Sequence, residues 1–254
     1  GVMGEDGVYI MLGDVAKNSE DGAMGTAPYE NYLVYSDGSG NIVRVKTNAV
    51  CRLSLTTVDG TYVSLYEEIG DALEEMNSTL PGSTGTITLF TDIECDTGIE
   101  INGRALTFDL NGHTLNVISS VGHALEVGSG GVVELIENGG EFNVISEASG
   151  YGVYAHDGGK VEVTNAEGFI GAAALGDDNY VEIAGNVISR QNAVQVAGER
   201  NVVIVRGNAS LSGDDRPNTT GIVIQGGSDS TVLVGGNLTV TGTNATGISL
   251  ILGG

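Results

Sequence analysis

Short runs of alternating apolar and polar residues recur along this chain, and each closes on an asparagine. The clearest is residues 105–117, ALTFDLNGHTLNV. Leu106, Phe108 and Leu110 share one strand face, Asn111-Gly112 makes a corner, and 113–117 form a second strand. The run returns as VELIEN (133–138), VEVTN (161–165), VEIAGN (181–186), VIVRGN (203–208) and VLVGGN (232–237). Its asparagines fall at 111, 138, 165, 186, 208 and 237, spaced by 27, 27, 21, 22 and 29 residues. A repeat of that length is the signature of a solenoid.

Two further strands accompany each asparagine strand. One precedes it, as ALEV (124–127), GVYA (152–155), AVQV (193–196), GIVI (221–224) and GISL (247–250). The other follows it, as FNV (142–144), NVI (186–188), ASL (209–211) and LTV (238–240). Three short strands per coil describe an all-β fold, a three-faced parallel β-helix, and parallel crossovers make it right-handed. Upstream, Leu65, Ile69, Leu73 and Met76 form an apolar stripe at helical spacing, predicting a helix over 65–77 with a Ser64/Glu67 capping box. That amphipathic helix should cover the open end of the first coil, which would otherwise expose core and strand edge. The expected division is a β-rich segment over 1–61 and the cap helix plus β-helix over 62–254. Within the first segment, 31–46 reads as a hairpin. Its turn carries Asp37, Ser39 and Asn41 at calcium-loop spacing, but position twelve is Asn48 instead of Glu, so a plain turn is expected.

The stretch 57–117 is similar to a known module. VDGTYVSLYEEIGDAL, GTITLFTDI and LTFDLNGHTL resemble the opening of secreted bacterial surface proteins with a pectate-lyase-like right-handed β-helix. The resemblance implies a secreted or cell-surface location. It also implies either lyase or hydrolase action on acidic polysaccharide or a surface role without known activity.

Glycine numbers 41 of 254, yet 41% of residues are apolar, so the chain is no disordered linker. The 33 acidic residues against 10 basic give a net charge of −23, which disfavours nucleic acid and anionic membrane surfaces as partners. No apolar run is long enough for membrane insertion. Cys51 and Cys95 can pair or stay free. Residues 247–254 begin a coil with no second helix to cover it, which leads us to expect further domains of a longer parent chain.

Three constellations are candidates for chemistry. The asparagine column is expected to be an inward hydrogen-bond ladder, which discounts the Asn-x-Ser/Thr acceptor patterns at Asn208 and Asn237. Asp157, Asp177 and Glu199 each precede an asparagine strand by four residues and Asp229 by three, so they should stack on one edge. A Ca²⁺ ion held by Asp157, Asp177, Asp178 and Glu199 would relieve their repulsion, and separately solvated turns are the alternative. Insertions at 146–150 and 212–220 flank tight turns at 171–172 and 190–192, which suggests a glycan groove lined by Tyr151, Arg190, Gln191, Asp214, Asp215 and Arg216. If the chain is an enzyme, Arg190, Asp214 and Asp215 are its catalytic candidates. His113, His123 and His156 read as scattered, without nucleophile or metal spacing. Adhesion to a glycan or surface polysaccharide without catalysis is the leading expectation. A polysaccharide lyase or hydrolase and a structural stalk are the alternatives.

Overall fold

The computed structural model describes residues 48–136, 138–212, 219–226 and 228–251, together with the backbone of five short strands before them. β1 (Val2–Met3) pairs antiparallel with β2 (Tyr9–Ile10), and β3 (Ala23–Met24), β4 (Tyr32–Ser36) and β5 (Ile42–Lys46) form an antiparallel sheet. The hairpin expected at 31–46 is therefore present, while its Asp37-Ser39-Asn41 turn lies outside the described residues.

β6 (Cys51–Thr57) and β7 (Gly60–Tyr66) make a second hairpin, and β6 also pairs antiparallel with β8 (Thr84–Leu89), the first strand of the solenoid. This hairpin spans the boundary expected at 61/62 and belongs to the solenoid's sheet. The helix, α1 (Ile69–Ser78), begins later than the sequence suggested. Ser64 and Leu65 are held as strand partners of Leu53 and Arg52, so the capping box does not form. Glu68 is the N-cap and makes no side-chain capping bond. The buried stripe is Ile69, Ala72, Leu73 and Met76, without Leu65. It rests on the first coil, where a Cβ on Gly85 would lie 2.8 Å from Met76 Sδ. Arg104 fastens the other end, donating from Nε to Thr79 O at 3.0 Å and from Nη1 to Asn102 O at 2.8 Å.

The coils follow in order. The first is β8, β9 (Ile93–Cys95) and β10 (Ile99–Asn102); the second is β11 (Ala105–Asp109), β12 (Thr114–Ser119) and β13 (Leu125–Gly128). The third is β14 (Val132–Ile136), β15 (Glu141–Ser146) and β16 (Tyr151–His156). Next come β17 (Lys160–Val163) with β18 (Asn165–Leu175), then β19 (Tyr180–Ile183) with β20 (Val187–Ala197). β21 (Val202–Val205), β22 (Ala209–Ser212) and β23 (Thr220–Gln225) precede the last coil, β24 (Thr231–Val234), β25 (Leu238–Thr241) and β26 (Thr246–Ile251). Every strand from β8 onward pairs in parallel with its equivalent one coil away, so the fold is an all-β parallel β-helix. β18 and β20 run through the corner that separates the second and third faces elsewhere, so the turns expected at 171–172 and 190–192 are bends in continuous strands.

Strand alternation fills the interior with one apolar residue in two. Leu106, Phe108, Leu110, Leu115 and Val117 are fully buried, and the Phe108 and Phe142 rings meet at 4.8 Å across adjacent coils. Both cysteines are buried and free, which resolves the pairing left open by sequence. Burial, with Asp71 nearby, pushes the Cys51 thiol up to about 12. No helix among the described residues is long and apolar enough to cross a membrane.

The asparagine ladder exists, but its first members differ from those expected. Asn143 Nδ2 donates to Asn116 Oδ1 (2.9 Å) and Asn165 Nδ2 to Asn143 Oδ1 (2.8 Å). From there the donors become backbone: Asn186 N to Asn165 Oδ1 (2.8 Å), Asn208 N to Asn186 Oδ1 (2.9 Å) and Asn237 N to Asn208 Oδ1 (2.9 Å). Asn111 and Asn138 stand apart, bonded to Leu89 O and to Asp109 Oδ1. The reason is corner length. Early coils round the corner through several residues, with Asn111 at φ 49° and Gly112 at φ 82°, whereas only Thr164 separates β17 from β18. The asparagine that closes one strand thereby opens the next. The ladder also faces outward, and Asn186, Asn208 and Asn237 are exposed, so inward burial does not discount the latter two acceptor patterns.

A buried ladder occupies the opposite corner. Asn179 Oδ1 accepts from Gly158 N and Gly159 N, its Nδ2 donates to Asn201 Oδ1 at 2.9 Å, and Asn201 Nδ2 donates to Gly176 O at 2.7 Å. Asn201→Ala leaves several of these groups unpaired and is expected to cost about 1–3 kcal/mol of unfolding free energy in urea titration. Phe142→Ala empties the space beside Phe108 and is expected to cost about 3–5 kcal/mol by the same measurement.

Candidate functional site

On the third face, stacking brings aromatic and ionisable side chains together. β13 and β16 pair so that Glu126 lies opposite Tyr154, and one coil earlier Glu100 lies opposite Glu126. Val153 and Ala155 point inward and are fully buried, so Tyr154 and His156 point out. The Tyr154 ring stacks on His156 at 4.9 Å and on Tyr151 at 5.0 Å. His123 completes the set, 4.8 Å from Tyr151 and 4.9 Å from Tyr154. Four rings thus form one continuous half-buried surface.

Gly128 makes room for it. A Cβ there would collide with the His156 ring and with Asn102 Oδ1, so only glycine lets the imidazole lie against the backbone. His156 sits between two carboxylates, with Nε2 3.2 Å from Glu126 Oε1 and Nδ1 3.0 Å from Asp157 Oδ2. A carboxylate only accepts, so a ring nitrogen that meets one donates to it when it carries a proton. His123 has the opposite environment. Its Nδ1 accepts from Tyr151 N at 3.2 Å, which selects the neutral tautomer with the proton on Nε2. Burial lowers its pKa below 6.5, and His156 lowers it further, against an opposing pull from Glu126. Tyr154 is pushed up, by burial first and then by Glu126, Tyr151 and Asp157, so its hydroxyl remains a donor at neutral pH.

The residues expected at the site are distributed differently. Tyr151 belongs to the aromatic surface. Arg190 donates to Ser146 O (2.9 Å), Glu147 O (3.0 Å) and Ala148 O (2.7 Å), so its guanidinium ties down the 146–150 loop. Gln191, next to it in β20, is half-buried. Asp214, Asp215 and Arg216 lie outside the described residues.

The acids expected to hold Ca²⁺ do stack, as the bonds Gly158 N to Asp177 O (3.1 Å) and Asp178 N to Glu199 O (3.0 Å) show. Their repulsion is relieved by an arginine. Arg200 bonds Asp178 through both Nε (2.7 Å) and Nη2 (2.9 Å), and Glu199 through Nη1 at 2.8 Å. That contact holds the Asp178 carboxyl below its usual range. Asp177 accepts from Glu199 N at 2.8 Å, while Asp157 turns to His156. Asp229 occupies a left-handed turn position at φ 65°. Among the described residues, no three His, Cys, Asp or Glu side chains are grouped to hold a metal ion.

Sequence reasoning missed His123, Glu126, Tyr154 and His156. Their signal lay in ALEV and GVYA, which align Glu126 with Tyr154 once their outward positions are compared. His113 is separate from the cluster, its Nδ1 lying 3.6 Å from Asp92. Comparison of the chain with protein-family models, with curated proteins and with solved structures finds no match.

Because the folded state disfavours protonated His123, its contribution to stability is present above pH 6.5 and is lost as pH falls through its folded value. Proton NMR is expected to show the His123 ring titrating below 6.5. His123→Gln is expected to flatten the fall in urea midpoint across that window.

Proposed function

We propose that this chain is a secreted or cell-surface β-helix of the pectate-lyase-like type that binds glycan without transforming it, through the aromatic surface of Tyr151, Tyr154, His123 and His156. The observation that carries the reading is the unbroken ring contact from His123 in the corner loop to His156 on the sheet face. Sugar rings present apolar C–H faces and hydroxyl rims, and stacked tyrosines with polar tips complement both. Binding suits these histidines better than acid–base work. His156 has carboxylates on both nitrogens and His123 Nδ1 accepts a backbone amide, so the rings are held as contact surface. Arg190, the candidate base of the lyase reading, is engaged with three loop carbonyls.

A glycan array followed by calorimetry tests the reading. Retention of an oligosaccharide is expected, with Tyr154→Ala weakening it about tenfold, or roughly 1.4 kcal/mol. No reducing or unsaturated ends should be released. Failure to retain any glycan, or turnover of one, contradicts the proposal.

A further inference from the structure

We infer that the glycan bound at the aromatic surface carries a protonated primary amine, as a de-N-acetylated hexosamine does, an assignment that rests on the glycan-binding reading. The surface is bordered by acceptors. Glu126 and Asp157 each engage His156 through one oxygen, and no donor to their second oxygens is found among the described residues. Glu100 stands one coil away in the same outward column as Glu126. Asn102 Oδ1 is buried without a donor, while the amide nitrogen beside it is engaged with Glu100.

An ammonium group answers the carboxylates of this rim. It supplies three donors and one positive charge to an acceptor-rich rim, and it is attracted to the faces of neighbouring tyrosines. A uronate brings a further carboxylate to a surface already holding three, on a chain of net charge −23. The rings favour a sugar-borne amine over a lysine side chain, because an alkyl stem leaves most of a four-ring surface uncovered.

Calorimetry on the full chain with four probes tests this: glucosamine oligomers, N-acetylglucosamine oligomers of equal length, oligogalacturonate and a lysine oligomer. At mildly acid pH the glucosamine oligomer is expected to bind about tenfold more tightly than its N-acetylated form, with oligogalacturonate weakest. Glu126→Gln is expected to reduce that ratio to about twofold or less, and Glu100→Gln, on the same column, to lower it in the same direction. Equal binding of the two hexosamine oligomers, or preference for oligogalacturonate, overturns the amine assignment and leaves glycan binding standing. A lysine oligomer binding as tightly as the glucosamine oligomer overturns it as well. Absence of binding to all four, together with an empty glycan array, removes both readings.

Discussion

Parallel strands one above another, hydrogen-bonded coil to coil in constant register, oblige every residue to stand about 4.8 Å from its equivalent in the next turn. Whatever one coil presents at a position must therefore be compatible with what its neighbours present there. Apolar positions meet the demand easily and produce the continuous core from Cys51 to Ile222. Polar positions need a donor above each acceptor, which asparagine supplies from a single side chain. Both asparagine ladders answer this constraint, one exposed along the second face and one buried at the far corner. Stacked carboxylates have no such internal solution. The protein separates Asp177, Asp178 and Glu199 with a cation from its own chain, Arg200, and sets the His156 ring between Glu126 and Asp157.

Corner length varies where strand register does not, and that variation creates the site. In the second and third coils the chain leaves the second face through loops, at 120–124 and 147–150, before entering the third. Those loops bring His123 and Tyr151 alongside the outward residues of β13 and β16. In the next two coils the corner straightens into β18 and β20, and the outward column beyond Tyr154 continues as the small residue Ala173. The aromatic surface thus stands where looped corners give way to straight ones. Arg190 crosses that change, reaching back from β20 to the carbonyls of the 146–150 loop.

The architecture was legible because alternation and a repeating terminal residue are local signals. Leu106, Phe108 and Leu110 announced their strand, and aligned runs announced the stack. What failed was the reading of positions where two elements share a residue. Asn165 ends one strand and starts the next, so its sequence neighbours align it with Asn138 while its hydrogen bonds align it with Asn143. Ser64 and Glu67 have capping-box spacing, but pairing with Leu53 holds Ser64 in β7, and strand pairing prevailed over helix propensity. The acid column was visible as spacing; that Arg200 would fold back onto it was not, since its reach depends on a left-handed turn at φ 54°. The site itself needed one further step: recognising that residues 28 and 30 positions apart, His123 with Tyr151 and Glu126 with His156, become neighbours when a coil has that length.

Register, coil upon coil, sets which side chains meet. Nuclear Overhauser contacts measure it most directly. Cross-peaks are expected between the Glu126 side chain and the Tyr154 ring, and between the side-chain amides of Asn143 and Asn165. Contacts joining Asn138 to Asn165 instead, with Tyr154 remote from Glu126, would contradict it.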